Sequence, residues 1–382
     1  MNPTELLQFF QERQQAFIDR TREIVDIESP SYDAARSAAV ADWIERELGT
    51  ISGEFAIERL PVDATGIHLI IRAFPSDKKP VLVLGHTDTV HPVGTRAQNP
   101  TSIEGDRFYG CGIFDMKANI VLMLEMLRYF AASGKRPPRP LTILLSCDEE
   151  VGSRSGRAVV EREAANAEFC LVFEPSFDGK VKTGRKGTGM YTLRTHGIPA
   201  HAGLEPEKGA SAILEIARQI EKIQAMNDLA AGTTVNATTI SGGTTSNVIP
   251  EHAVCEVDVR FTKVSEAERI GREMASLKSF DPRVSLEITG GINRPPMERT
   301  DAVVSLFEKA KAVAASFDYE LGEMQVGGAS DGNFVAALGV PVLDGLGIAG
   351  AGAHTLQEHI LVSDIAGRTA LVTAFLLSDH NI

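Results

Sequence analysis

The sequence predicts an α/β fold with a smaller α+β domain inserted into the larger one. Three observations carry this. Short runs rich in Val, Ile and Leu alternate with helical patterns in the first half of the chain. The order changes to a βαββαβ unit between about Gly187 and Asn293, and after Asn293 the first style resumes.

In the first part, HLIIRAF, VLVLGH, LTILLSC and FCLVFE read as buried strands, with a helix from Lys117 to Ser133 between the second and third. The opening segment reads as one amphipathic helix with apolar Leu6, Leu7, Phe10 and Phe17, and it has no uninterrupted apolar core of the kind a signal peptide carries. RPPRP at 136–140 and NRPP at 293–296 punctuate the chain.

The middle segment runs strand (MYTLRTHG), helix (SAILEIARQIEKIQAM), two strands (TVNATTISGG, AVCEVDVRF), helix (SEAERIGREMASLKSF) and strand (VSLEITG). In AVCEVDVRF, Ala253, Cys255, Val257 and Val259 fall on one face. Val254, Glu256, Asp258 and Arg260 fall on the other, so one face packs on helices and the other stays wet. The helical pattern from Asp301 to Ala315 and the apolar run GVPVLDGLG then return to the first style. The expected division is 1–186 and 294–382 for the larger domain and 187–293 for the inserted one.

With 382 residues, 43% of them hydrophobic, the chain can fill two cores. The 38 basic and 51 acidic residues give a formal net charge of −13, and no basic stretch is long enough to track a phosphate backbone, which argues against nucleic acid as a partner. The longest apolar runs fall well short of the roughly 20 residues of a membrane span, so a cytoplasmic protein is expected. The four cysteines, Cys111, Cys147, Cys170 and Cys255, lack paired metal spacing and read as buried free thiols.

Three of the buried strands end in metal-capable residues: VLVLG in His86, ILLSCD in Glu149 and Glu150, LVF in Glu174. Ligands in open α/β sheets sit at these carboxyl ends. The loop YGCGIFD adds Asp115 just before a helix, and GAGAHT adds His354 through a glycine-rich turn. A catalytic zinc takes three protein ligands and a water, and two zincs can share a bridging carboxylate, so five ligands suffice. With Asp115 bridging, His86 and Glu174 would serve one ion and Glu150 and His354 the other, leaving Glu149 as general base. In HTD, Asp88 supplies a carboxylate to orient the other nitrogen of His86.

Taken together, GHTDTV, YGCGIFDMK, DEEVGS, FEP and GAHTLQEHI resemble the motifs of the aminoacylase and carboxypeptidase family of two-zinc peptidases, most closely its bacterial glutamate carboxypeptidases. The resemblance spans nearly the whole chain. It implies a zinc-peptidase catalytic domain with a central mixed sheet and flanking helices, plus a ferredoxin-like lid that also forms a homodimer. It implies two Zn2+ per subunit, with Co2+ or Mn2+ able to substitute. HGIPAHAG is similar to the segment whose second histidine, His201, crosses the dimer to the oxyanion. SNVIP and DVRF map Asn247 and Arg260 to substrate contacts, and Lys182 and Arg294 match further substrate-binding positions.

The reaction so read is hydrolysis of an amide bond beside a free carboxylate, in a small peptide or N-acyl amino acid, by a glutamate-type carboxypeptidase or acyl-amino-acid hydrolase. The alternatives are a deacylase of acetylornithine or succinyl-diaminopimelate type and, in a different class, an inactive metal-bound dimeric scaffold.

Overall fold

The computed structural model describes residues 2–378. The chain divides into two compact units: one comprises Met1–Gly184, Arg299–Val326 and Ser330–Ile382, the other Arg185–Glu298 and Gly327–Ala329.

The larger unit is built on a six-stranded mixed sheet. Its order is Ala56–Val62, Gly66–Ala73, Leu141–Ser146, Val81–His86, Phe169–Val172, Val342–Leu343. The first three pair antiparallel, and the last four run parallel. Every residue of Val81–His86, Leu141–Ser146 and Phe169–Val172 is buried, which is why these strands read as unbroken apolar runs rather than alternating ones. The sheet is covered by helices that include Ala118–Ser133 and Ile365–Leu377, both apolar nearly all round and buried over most of their length.

Two elements depart from the sequence reading. The N-terminal segment forms two helices, Pro3–Glu12 and Gln14–Val25, because Arg13 leaves the helical region (φ −97°, ψ 2°). Its guanidinium grips the buried carboxylate of Glu125 with bonds of 2.6 and 3.0 Å. A tertiary ion pair thus overrides local periodicity. GVPVLDGLG contributes only the strand Val342–Leu343, since beyond it the chain bends so that Leu346 and Gly347 donate to the carbonyls of Val172 and Glu174.

A second sheet of the larger unit runs Gly350–Ala351, His359–Leu361, Arg107–Tyr109, Ser102–Glu104. The first two strands are an antiparallel pair whose connection carries His354.

In the inserted unit the strands Gly187–His196, Thr234–Gly242, His252–Phe261 and Ser285–Arg294 form one antiparallel sheet in the order second, third, first, fourth. With helices Ala212–Gln224 and Val264–Ser276 this is the ferredoxin-like arrangement. Ala253, Cys255, Val257, Val259 and Phe261 join Ile216, Ile223 and Ile270 in its core, while the alternate positions of that strand are half-buried or exposed. The four cysteines are buried and free. Among the described residues no helix is long and apolar enough to cross a membrane.

Candidate metal centre

His86, Asp115, Glu149, Glu150, Glu174 and His354 all belong to the larger unit. His86 ends its strand and is buried; Glu149 and Glu150 follow Leu141–Ser146, and Glu174 follows Phe169–Val172. Since these three strands are parallel neighbours, their carboxyl ends deliver the side chains to one edge of the sheet.

Asp115 lies between the two histidines. Its Oδ1 is 3.0 Å from His86 Nε2, and its Oδ2 is 3.4 Å from His354 Nε2. Glu174 Oε1 approaches the same His86 Nε2 at 3.6 Å, and Glu150 Oε2 approaches the same His354 Nε2 at 3.2 Å. Glu149 and Glu150 are adjacent in sequence but sit on a 3₁₀ turn, Glu149–Val151, whose tight winding sends successive side chains in different directions. Glu149 therefore groups with His86 and Glu174, and Glu150 with His86 and Asp115, as two clusters with metal-binding spacing.

Electrostatics match that arrangement. Burial pushes the Glu150 carboxyl up. Burial also acts to raise Asp115, but hydrogen bonds from His354 and His86 overcome it and hold this carboxyl far below its usual range. Conversely, bonds to Asp115 and Glu150 lift His354 to about 10. His86 is lifted too, since Asp115 and Asp88 outweigh its complete burial. Such a carboxylate cluster calls for positive charge. Among the described residues Glu150 Oε1 is buried with no hydrogen-bond partner, as suits an atom that binds a cation. Imidazole and carboxylate donors in this number fit zinc, cobalt or manganese.

Asp88 meets His86 through both its main chain and its side chain. The nearest acceptor for His86 Nδ1 is the backbone carbonyl of Asp88 at 2.9 Å; the carboxylate is 3.5 Å away. That carboxylate also accepts the backbone N–H groups of Glu149 and Glu150, both at 3.2 Å, and the Ser31 hydroxyl at 2.7 Å. Asp88 thus fixes the turn that carries the paired glutamates, while its carbonyl and carboxylate both face the imidazole.

Sequence reading missed Glu358. Its buried carboxylate accepts the N–H groups of Gly112, Phe114 and Asp115, each at 2.9 Å, and contacts His91 Nε2 at 2.6 Å. It caps the irregular loop from which Asp115 projects, where the Asp115–Met116 peptide is cis. A signal existed in GAHTLQEHI, four residues beyond His354, but an acid whose partners are backbone amides leaves no partner to find in a sequence.

Of the remaining residues, Lys182 is in the larger unit, buried, with its N–H bonded to the Asp344 carbonyl. His201, Asn247, Arg260 and Arg294 are in the inserted unit. Pairing of Ala200–His201 with Val248–Ile249 brings His201 and Asn247 together, and Ala202 N–H donates to the Asn247 carbonyl at 2.9 Å. Both residues are exposed. Arg260 and Arg294 align with Thr188 from its two sides in the sheet, and Arg260 is held flat by a two-pronged bond to Asp258.

Comparison with known proteins bears on this centre. Residues 82–378 match the model of peptidase family M20/M25/M40. The chain is 29% identical over 379 residues to carboxypeptidase G2 of Pseudomonas sp. (strain RS-16), covering 97% of this chain and 91% of that protein. It is 31% identical over 307 residues to a succinyl-diaminopimelate desuccinylase of Verminephrobacter eiseniae, covering 75% of each. In fold it is similar to the aminopeptidase PepT of Bacillus cereus, with a TM-score of 0.75 at 22% identity, covering 95% of this chain and 98% of that one. The chain belongs to peptidase family M20/M25/M40 and is a carboxypeptidase-like metallohydrolase of amide bonds.

Proposed function

We propose that the protein is a two-zinc hydrolase that releases an amino acid bearing a free carboxylate, glutamate or a similar acidic residue, from a small peptide or N-acyl conjugate. The observation that carries this reading is Asp115, with one carboxylate oxygen toward each histidine and a further acid near the same Nε2 of each. Asp115 is the bridging ligand, His86 and Glu174 complete one site, and Glu150 and His354 the other. The ions would polarise the scissile carbonyl and acidify water between them.

Glu149 is the general base. It groups with His86 and Glu174, and the N–H of its own backbone is anchored on Asp88, so its carboxylate is held for proton transfer. It takes the proton from water and returns it to the leaving nitrogen. The inserted unit is the lid and the dimerisation domain, bounded near 187 and 293. From it His201, across the dimer, donates to the developing oxyanion and Asn247 supplies an amide to the substrate, while Arg260 and Arg294, with Lys182, bind the substrate carboxylate. The enzyme acts in the cytoplasm.

The second reading, a deacylase of succinyl-diaminopimelate type, is favoured by the 31% identity to such an enzyme. A panel of N-acyl and peptidyl substrates ending in glutamate, aspartate, ornithine or neutral residues, assayed before and after chelation and zinc repletion, decides. Chelator-sensitive release of glutamate is the expected result. Activity confined to succinylated or acetylated amines selects the second reading, and none with zinc bound overturns both.

A further inference from the structure

A cluster separate from the candidate metal centre lies within the inserted unit. His196 closes the strand Gly187–His196, His252 opens the strand His252–Phe261, and the two are paired in register. One step along, Gly197 N–H donates to the Glu251 carbonyl at 2.7 Å. The histidines therefore occupy the neighbouring non-hydrogen-bonded position, where antiparallel side chains come closest. Their ring centroids are 4.5 Å apart, and the two Nδ1 atoms share a hydrogen bond of 2.9 Å. Glu251 reaches both, one oxygen 3.6 Å from His196 Nε2 and the other 3.6 Å from His252 Nε2. The side chains of His196 and His252 are 58% and 66% exposed, so the position is open to ions and to water.

We propose that His196, His252 and Glu251 form a second, peripheral site for a divalent transition metal, with Cu2+ and Ni2+ as the preferred ions. The three residues already group with metal-binding spacing. Two imidazole nitrogens bound at about 2.0–2.1 Å stand about 2.9 Å apart when the angle at the ion is 90°, and about 3.3 Å apart when it is tetrahedral. The observed 2.9 Å is a hydrogen bond between the rings, and it equals the separation that the right angle needs once an ion replaces the shared proton. Tetragonal geometry with nitrogen and oxygen donors is the preference of Cu2+ and Ni2+, and Cu2+ also stands highest in the general affinity order. The catalytic centre, with three ligand carboxylates to two imidazoles, is a harder donor set, so the two sites sort ions differently. The peripheral ion would tie together the two strands at their ends and stabilise the inserted unit by mass action.

The test uses the full-length, untagged protein loaded with its catalytic metal and titrated with Cu2+ in a non-chelating buffer, followed by electron paramagnetic resonance. Wild type is compared with His196→Gln, His252→Gln and the double variant; these residues are exposed and outside the hydrolytic machinery. The expected result is one Cu2+ per chain beyond the catalytic complement, with hyperfine coupling to two imidazole nitrogens, bound at least tenfold more weakly by either single variant. Retention on immobilised Ni2+ should fall in parallel, and copper-free amide hydrolysis should be unchanged. Equal copper binding by wild type and double variant, or no bound copper signal in wild type, overturns the proposal. Neither readout depends on which substrate the enzyme cleaves.

Discussion

The carboxylate of Glu358 accepts the backbone N–H of Asp115 at 2.9 Å, across 243 residues of sequence. The residue between the two candidate metal positions is therefore set in place by an acid that stands outside the metal-spaced clusters. With the Gly112 and Phe114 amides and His91, the same carboxylate serves four groups.

Replacing it tests this clamp. Glu358→Ala strands three amides, two of them buried and costing about 1–3 kcal/mol each, and should lower the melting temperature markedly. Glu358→Gln retains an acceptor oxygen and should fold, but with metal affinity reduced about 10- to 100-fold, the usual cost of losing an outer partner of a ligand. Competition against a chromophoric chelator measures this; unchanged affinity in Glu358→Gln would remove Glu358 from the positioning of Asp115.

Glu149→Gln separates proton transfer from metal binding. The variant should keep two metal ions per chain and lose a factor of about 10²–10⁴ in kcat. Elemental analysis beside the turnover assay gives both numbers, and near-normal turnover would dismiss Glu149 as the base.

Gly347 is a glycine because of close approach. Its N–H donates to the Glu174 carbonyl at 3.0 Å, and a Cβ there would lie 2.3 Å from Asn119 Nδ2 and 2.7 Å from that carbonyl oxygen. Asn119 in turn accepts the Ile348 N–H and donates to the Phe114 carbonyl. Gly347→Ala should cost about 1–3 kcal/mol through overpacking and weaken metal binding through Glu174. Denaturant midpoints check the first effect, and metal titration checks the second.

Acid should loosen the inserted unit through Glu266. Hydrogen bonds from Arg269 and Thr233 hold its carboxyl at about 2, below its ordinary value of 4.5. A depressed folded-state value means the stabilisation is complete above about pH 4.5 and disappears as pH falls toward 2. Wild type should exceed Glu266→Gln in urea midpoint at pH 7, and the gap should narrow at pH 3. A gap independent of pH would assign the effect to packing instead.

Much of the larger unit's sheet could be read in advance because its central strands are buried on both faces, so burial left continuous apolar runs at 81–86, 141–146 and 169–172. The helix Asp301–Ala315 was likewise legible to the residue, having Thr300 as a side-chain N-cap. The split at Arg13 was not, because its cause is Glu125, 112 residues away. The short strands Gly350–Ala351 and His359–Leu361 carry too few residues to show periodicity, yet they hold the His354 loop.

Local chemistry therefore let the sequence alone determine which residues could carry metal and on which strands they end, since imidazoles and carboxylates closing apolar runs stand out wherever they occur. Only the tertiary structure decided how they divide. Strand order set His86 and Glu174 side by side, the 3₁₀ turn sent Glu149 and Glu150 apart, and Asp88 gave its carbonyl to the histidine and its carboxylate to that turn. The reason is physical: a ligand's identity is a property of one residue, whereas its distance to the next ligand depends on hydrogen bonds between segments that are remote in the chain.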